Sequence, residues 1–420
     1  MKFSSRVDVS EPNPIIVAER DALACNIKLT KLNDSNPTSH NLAPICLSSK
    51  YVADPRGPIE TRKMLADFIN KRDNRGIYSS ESNANTKSEV IIKDPSCSAY
   101  CASALNPENI YVLSSTSQAY AWLMMLLCDA GDAVLAPKPG YPLVESIARL
   151  NLVKTIPYSL RYDGSWTIDL ANVRSLIEDE SNNIKALVLI NPNNPTGSYI
   201  KMQEREVLLE LCHKHGIAII ADEVFYDYSL EPFDFNARLA GETSTLVFAL
   251  DGFSKMLAAP HAKVGWIEVS GPVDDVCEAK KRLDVIADDF LPIGATVSDH
   301  IHELLDCACE QTNKVRSRIK SNLSTLRKTL AQWPNCCVDA LRAEGGWNVL
   351  LRVPSCIDDD VLALRLIRDY KLVSQPGYYF DMPNNGYLAL SLLPEPDQFS
   401  NNLKLTLKTV DTLLNEIIRD

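Results

Sequence analysis

The chain has 420 residues, 45% of them hydrophobic, and its 43 Lys and Arg against 54 Asp and Glu give a net charge of −11. That length suits two or three domains around a sizeable core, and the acidic balance disfavours a nucleic-acid partner, which would need a clustered basic face. The longest apolar run, residues 121–128, is too short to span a bilayer, and no membrane association is expected.

The twelve cysteines include no CxxC pair, and none of the six histidines falls at zinc-ligand spacing to them. Free thiols in a reducing cytosol are the expectation, with no metal site. Residues 1–14 are polar and lack the apolar core of a signal peptide, so a cytoplasmic location is expected.

Taken in order, the chain opens with an amphipathic helix predicted over 15–29 and a turn-rich loop at 32–38. Residues 58–71 give a second helix, with Ile59, Met64, Leu65, Phe68 and Ile69 on one stripe. Residues 79–106 are polar and mixed, a surface excursion longer than an ordinary connection. From 109 to 269 the pattern changes. Short apolar, β-branched runs at 110–113, 133–136, 186–190, 217–221 and 245–250 alternate with helical stretches at 118–129, 142–150, 170–179 and 203–215. This alternation predicts an α/β fold, a mostly parallel mixed sheet flanked by helices. A strand at 262–269 follows the last of them too closely for a helical crossover and is expected to run antiparallel.

Beyond it, 273–304 is helical with a break near Pro292, and 313–333 is a long helix. Strands at 337–341, 347–353 and 387–393 and helices at 357–370 and 398–418 predict a smaller α+β domain. The expected division is a large domain over 46–300 and a small one made of 1–45 and 301–420.

Ligands of parallel sheets sit beyond the carboxyl ends of the strands, and four polar stretches fall there. They are Ser115-Thr116-Ser117-Gln118, the turn from Asn191 to Gly197, Asp222-Glu223-Val224, and Ser254-Lys255. Singly, each has a plainer reading: a capping serine, a tight turn, a loop carboxylate, a surface lysine. Together they read as one cofactor site. Lys255 offers an amine for a Schiff base with an aldehyde, and Asp222 a carboxylate for a pyridinium nitrogen, the pair that pyridoxal 5'-phosphate requires. Ser115, Thr116 and Ser117 open a helix, where backbone N–H groups favour a phosphate. Asn194 can donate to a phenolic oxygen, and Tyr141 can stack on the ring.

On these motifs, with Val264-Gly265-Trp266 after the lysine, the chain resembles fold-type I pyridoxal-phosphate enzymes of the aspartate aminotransferase superfamily, class I/II. The resemblance covers nearly the whole chain. It implies an aminotransferase moving an amino group between an amino compound and a 2-oxo acid. Lys255 would be the Schiff-base lysine and proton shuttle, Asp222 the partner of the ring nitrogen, Asn194 the phenolic-oxygen donor and Tyr141 the stacking ring. Thr116 and Ser117 would bind phosphate. Tyr51 would reach the cofactor phosphate of a second subunit in a homodimer.

Four positions depart from the family pattern. Phe225 stands where many relatives have tyrosine, Gly252 where they have serine, and Lys263 where they have the phosphate-binding arginine. Ala389 stands where they have the arginine that clamps the substrate α-carboxylate, and Arg56 is the candidate replacement. These departures leave open another pyridoxal-phosphate reaction (lyase, decarboxylase or cyclase). A binding or regulatory protein on the same fold is a third reading, against which the intact Lys255, Asp222 and Asn194 set argues.

Overall fold

The computed structural model describes residues 13–35, 54–73, 104–231 and 238–419. Tyr51 and most of the 79–106 excursion lie outside these residues. After a short strand, Thr30–Lys31 (β1), eight strands make the main sheet. They are Ile110–Leu113 (β2), Ala133–Lys138 (β3), Lys154–Tyr162 (β4), Trp166–Ile168 (β5), Ile184–Ile190 (β6), Ala218–Asp222 (β7), Val247–Gly252 (β8) and Gly265–Ser270 (β9). Their spatial order is β2-β9-β8-β7-β6-β3-β4-β5. The strands β4, β3, β6, β7 and β8 run parallel, while β9 is antiparallel to both β8 and β2.

The central strands are apolar throughout because helices cover both faces of the sheet. Alternate residues go to opposite cores. Val188, Ile190, Ile220, Phe248 and Leu250 pack with the helices Thr116–Leu127, Leu143–Leu150 and Val273–Phe290. Leu187, Leu189, Ile219, Ala221 and Ala249 pack with Leu170–Glu178 and Met202–His215.

Two strands of this sheet, β4 and β5, were not predicted from sequence. Pro157 interrupts β4, and the burial of β4 is only partial. Its inner flank pairs with β3, but β5 pairs only with Leu160, Arg161 and Tyr162, so the outer flank is open at Pro157. An open edge is where a residue without an N–H is tolerated.

A second sheet uses Asp339–Ala340 (β10), Asn348–Arg352 (β11), Gln375–Pro376 (β13) and Tyr387–Ser391 (β14), in the antiparallel order β10-β11-β14-β13. Between them in sequence, Leu372–Val373 (β12) pairs with β1. Val349, Leu351, Leu388 and Leu390 turn one face of this sheet into a core shared with the helices Ala308–Gln332, Asp359–Tyr370 and Pro396–Arg419. Leu32, just past β1, joins the same core. Among the described residues no helix is long and apolar enough to cross a membrane.

The turn after β6 is seated on the segment that precedes β11. Gly197 there has φ +68°, and its carbonyl accepts from the N–H groups of Glu344 at 3.0 Å and Gly345 at 2.8 Å. A Cβ at this position would lie 2.7 Å from both Ala343 Cβ and the Gly345 carbonyl. Replacing Gly197 by alanine therefore combines backbone strain with a clash. We expect a loss of about 1–3 kcal/mol of stability, read as a lower urea midpoint.

Candidate active site

The strand register sets the site. Asp222, the last residue of β7, lies opposite Ile190 on β6 and Leu250 on β8. The carboxyl ends of three parallel strands are thus level, and the turn bearing Asn194, the Asp222 carboxylate and the turn bearing Lys255 emerge together.

Lys255 sits in a single helical turn, Phe253–Met256, that directly follows β8. Phe253 anchors it, fully buried and edge-on to Trp266 at 5.8 Å. The Tyr228 hydroxyl donates to the Lys255 carbonyl at 2.7 Å and the Met256 carbonyl at 3.0 Å, and Thr312 donates to Met256 as well. The half-buried lysine carries its Nζ 5.2 Å from the ring centre of Phe225 and 5.1 Å from that of Trp347. Burial disfavours the ammonium, and although the Asp222 charge works the other way, the pKa is lowered to about 8. An amine so placed is partly neutral, hence nucleophilic, close to neutral pH.

Asp222 is 7% exposed. Its Oδ2 accepts from the Tyr120 hydroxyl at 2.9 Å and its Oδ1 from the Val224 N–H at 3.3 Å. Burial raises its pKa to about 6, with those two hydrogen bonds and Lys255 opposing the rise. Tyr120 was not singled out from sequence, and nothing in a single chain marks a tyrosine inside an apolar helix as reaching a carboxylate 102 residues further on.

Ser115 caps the helix Thr116–Leu127, its Oγ accepting from the Gln118 N–H at 3.2 Å. The N-terminus it forms, with Thr116 and Ser117, has the backbone donors and dipole that suit an anion. Gly265 brings β9 against it, since a Cβ there would stand 3.2 Å from the Ser115 carbonyl carbon and the Thr116 nitrogen. Lys263, exposed and at φ +51°, lies two residues before that contact, and half-buried Ser254 precedes Lys255. Tyr141 is 42% exposed in the turn after β3, and burial of its phenol together with the Asp222 charge raises its pKa. Asn194 Oδ1 accepts from Asn348 Nδ2 at 3.2 Å, while Asn348 Oδ1 is buried without a partner. Asn348 and Trp347 are further residues that sequence reasoning missed, contributed by the second sheet.

The departures acquire physical reasons. A Cβ at Gly252 would come within 2.9 Å of the Val264 carbonyl oxygen, so a serine does not fit this approach of β8 to β9. Phe225 puts its ring, with no hydroxyl, against the lysine. Ala389 is fully buried among Leu350, Phe380 and Met382. Arg56 does not serve as its replacement. The Arg56 guanidinium donates to Asp284 at 2.5 Å and to Glu108 at 2.9 Å, and it stacks over Tyr111. A cleft of about 550 Å³ opens over Lys255, bordered by Glu19, Asn33, Ser374, Gln375 and Tyr379.

This fold matches a known class. The family model for aminotransferase class I and II matches residues 50–395. A tyrosine aminotransferase of Dictyostelium discoideum is 24% identical over 67% of this chain and 69% of that protein. An S-alkyl-thiohydroximate lyase of Arabidopsis thaliana is 27% identical over 67% of this chain and 62% of that protein. Among solved structures, an alanine aminotransferase from Pyrococcus furiosus superposes with a TM-score of 0.81 at 18% identity, covering 98% of this chain and all of that one. The chain belongs to the aminotransferase class I and II family, and amino-group transfer is the activity that family and fold assign to it. The family implies pyridoxal phosphate as cofactor.

The Tyr120 contact can be tested in the cofactor-free protein. The Asp222 carboxyl is expected to titrate near pH 6 by carbon NMR. Removing the donor with Tyr120→Phe should move that midpoint upward, because the lost hydrogen bond favoured the ionised form.

Proposed function

We propose that the protein transfers an amino group between an amino compound and an oxo compound on pyridoxal 5'-phosphate held covalently by Lys255. The observation that carries this reading is the Lys255 amine, set against the rings of Phe225 and Trp347 with its pKa lowered and Asp222 within electrostatic reach. The donor set fits the group. Asn348 Oδ1, beside Asn194, is buried and unpartnered, and a capped helix N-terminus stands at the same end of the sheet.

When bound, pyridoxal phosphate supplies an aldehyde for the lysine and a ring that draws off the electron pair left when the substrate carbon loses a proton. Asp222 would keep a proton on the ring nitrogen, and Tyr120 would favour its ionised form. Asn194 has its oxygen taken by Asn348, which leaves its amide N–H groups for the phenolic oxygen. Tyr141 would cover one ring face. Ser115, Thr116, Ser117, Ser254 and Lys263 would surround the phosphate, with Lys263 giving charge but not the two-pronged fork of an arginine. Lys255, once freed, would carry the proton between the substrate carbon and the cofactor.

The same proposal divides the chain into a large body, 46–300, and a small body of 1–45 with 301–420. The pairing of β1 with β12 and the place of Leu32 in the second core support it. It also makes the protein a homodimer with Tyr51 reaching the other subunit's phosphate. Val285, Phe290 and Leu291, exposed at one end of the helix Val273–Phe290, support an interface there. A second reading, another pyridoxal-phosphate reaction such as elimination, is favoured by the likeness to the Arabidopsis lyase.

The purified protein is expected to be yellow, and borohydride should bleach that colour while fixing the cofactor on a peptide containing Lys255. Lys255→Ala should lose turnover altogether, and a colourless wild type unchanged by added cofactor would refute the assignment. Asp222→Asn should cut kcat about 10²–10³-fold, the usual cost of removing a charge that stabilises the transition state. Light scattering should return twice the 46.6 kDa chain mass, against which a fully active monomer would count.

A further inference from the structure

The cleft over Lys255 has an unusual lining for a site that handles amino acids. Among the described residues its cations are Lys255 and Lys31, and its carboxylates are Glu19 and Asp34. Lys31 is exposed, and its charge acts on Glu19. Of the remaining polar groups, Asn33 and Gln375 are neutral amides bonded to one another. Gln375 lies opposite Ala389 in the register of β13 with β14, beside the position filled by Leu350, Phe380 and Met382. No guanidinium of the described residues borders the cleft.

Two buried polar atoms of this lining lack partners. They are Asn33 Oδ1 and Ser374 Oγ, and Ser374 is only 2% exposed. A buried polar atom left unpaired is costly, and a ligand that supplies the missing hydrogen bond recovers that cost. Asn33 Oδ1 can only accept and Ser374 Oγ can accept as well as donate, so with Glu19 and Asp34 beside them they suit a ligand that donates hydrogen bonds. A carboxylate, which can only accept, finds no guanidinium among the described residues of the lining to grip it in two-pronged fashion, and it meets the like charges of Glu19 and Asp34.

We infer that the amino compound used at this site is a primary amine without a carboxylate on the amino-bearing carbon, carrying a second donor, hydroxyl or ammonium, that the Asn33, Ser374 and Gln375 edge of the cleft recognises. The inference rests on the reading of Lys255 as the cofactor lysine. In the half-reaction the amine carbon is oxidised to a carbonyl and the cofactor aldehyde is reduced to an amine. Nitrogen and two electrons would pass to the cofactor, the Lys255 amine would be released, and water would supply the carbonyl oxygen of the product. The acceptor occupies the same cleft and is by the same reasoning an aldehyde or ketone rather than a 2-oxo acid.

Matched pairs that differ only in the carboxylate test this: putrescine against ornithine, and ethanolamine against serine, with propylamine as the amine lacking a second donor. Affinities are measured by calorimetry on cofactor-loaded Lys255→Ala, where no turnover interferes. Conversion is followed on wild type as loss of the cofactor's visible band. The diamine and amino alcohol are expected to bind about tenfold or more tighter than their amino acids, to exceed propylamine, and to convert faster. Ser374→Ala should weaken them several-fold while leaving propylamine unchanged, and Gln375→Arg should swing preference toward the amino acids. Amino acids that bind and convert as well as their amines in wild type would overturn the inference. In that event a yellow protein whose cofactor borohydride fixes on Lys255 leaves the cofactor reading standing, whereas a colourless protein removes both.

Discussion

The constraint on which the site depends is the burial of Asp222 at the carboxyl end of β7. A carboxylate placed there is held away from water between two parallel neighbours, and burial alone would drive it to its neutral form. Tyr120, the Val224 N–H and the Lys255 ammonium oppose that drift. The balance leaves a carboxyl that titrates near pH 6 facing an amine that titrates near pH 8. Both groups are therefore close to a change of charge in the range where amine chemistry runs, a state that neither would reach in water.

Holding this pair needs a rigid floor, and the floor is ionic. Behind the Lys255 turn, Asp251 on β8 receives Arg72 at 2.9 Å, and the same guanidinium reaches Asp227 at 3.3 Å and Asp73 at 2.9 Å. Arg238 joins from the other side, 3.0 Å from Asp227 and stacked over Tyr226. Breaking one member of so buried a network would strand the remaining charges, so these contacts act chiefly to hold geometry. The second sheet adds a different restraint. Glu344, 2% exposed, accepts from the Tyr199 N–H and from Lys201, tying the segment before Trp347 to the strand end that carries Asn194.

The departures from the family pattern are mutually consistent. Gly252 allows β8 and β9 to approach closely and bring Gly265 against the Ser115 cap. Phe225 replaces a phenol by an apolar ring that packs against the lysine. Ala389 closes an apolar cluster where a guanidinium would have had to be housed, and the polar side chains Asn33, Ser374 and Gln375 line the cleft nearby. Each of these three changes removes a charged or hydroxyl group on one side of the site and is met by packing or a neutral amide on another.

The sequence by itself determined the sheet, because fully buried parallel strands need runs such as 186–190 and 217–221 that are apolar on every residue, a local property. It also placed Asp222, Asn194 and Lys255 at strand ends, since each directly follows such a run. Strands β4 and β5 escaped because Pro157 and half-exposed edge residues carry no such signal. Only the tertiary structure decided which groups face one another. Tyr120 reaches Asp222 across 102 residues, and Asn348 reaches Asn194 across 154. It also decided that Arg56 is committed to Asp284 and Glu108, and that Asn33 and Gln375 border the cleft over Lys255. Such pairings arise where separate elements converge, and a side chain's partner is fixed by the distance between elements, which no window of neighbouring residues contains.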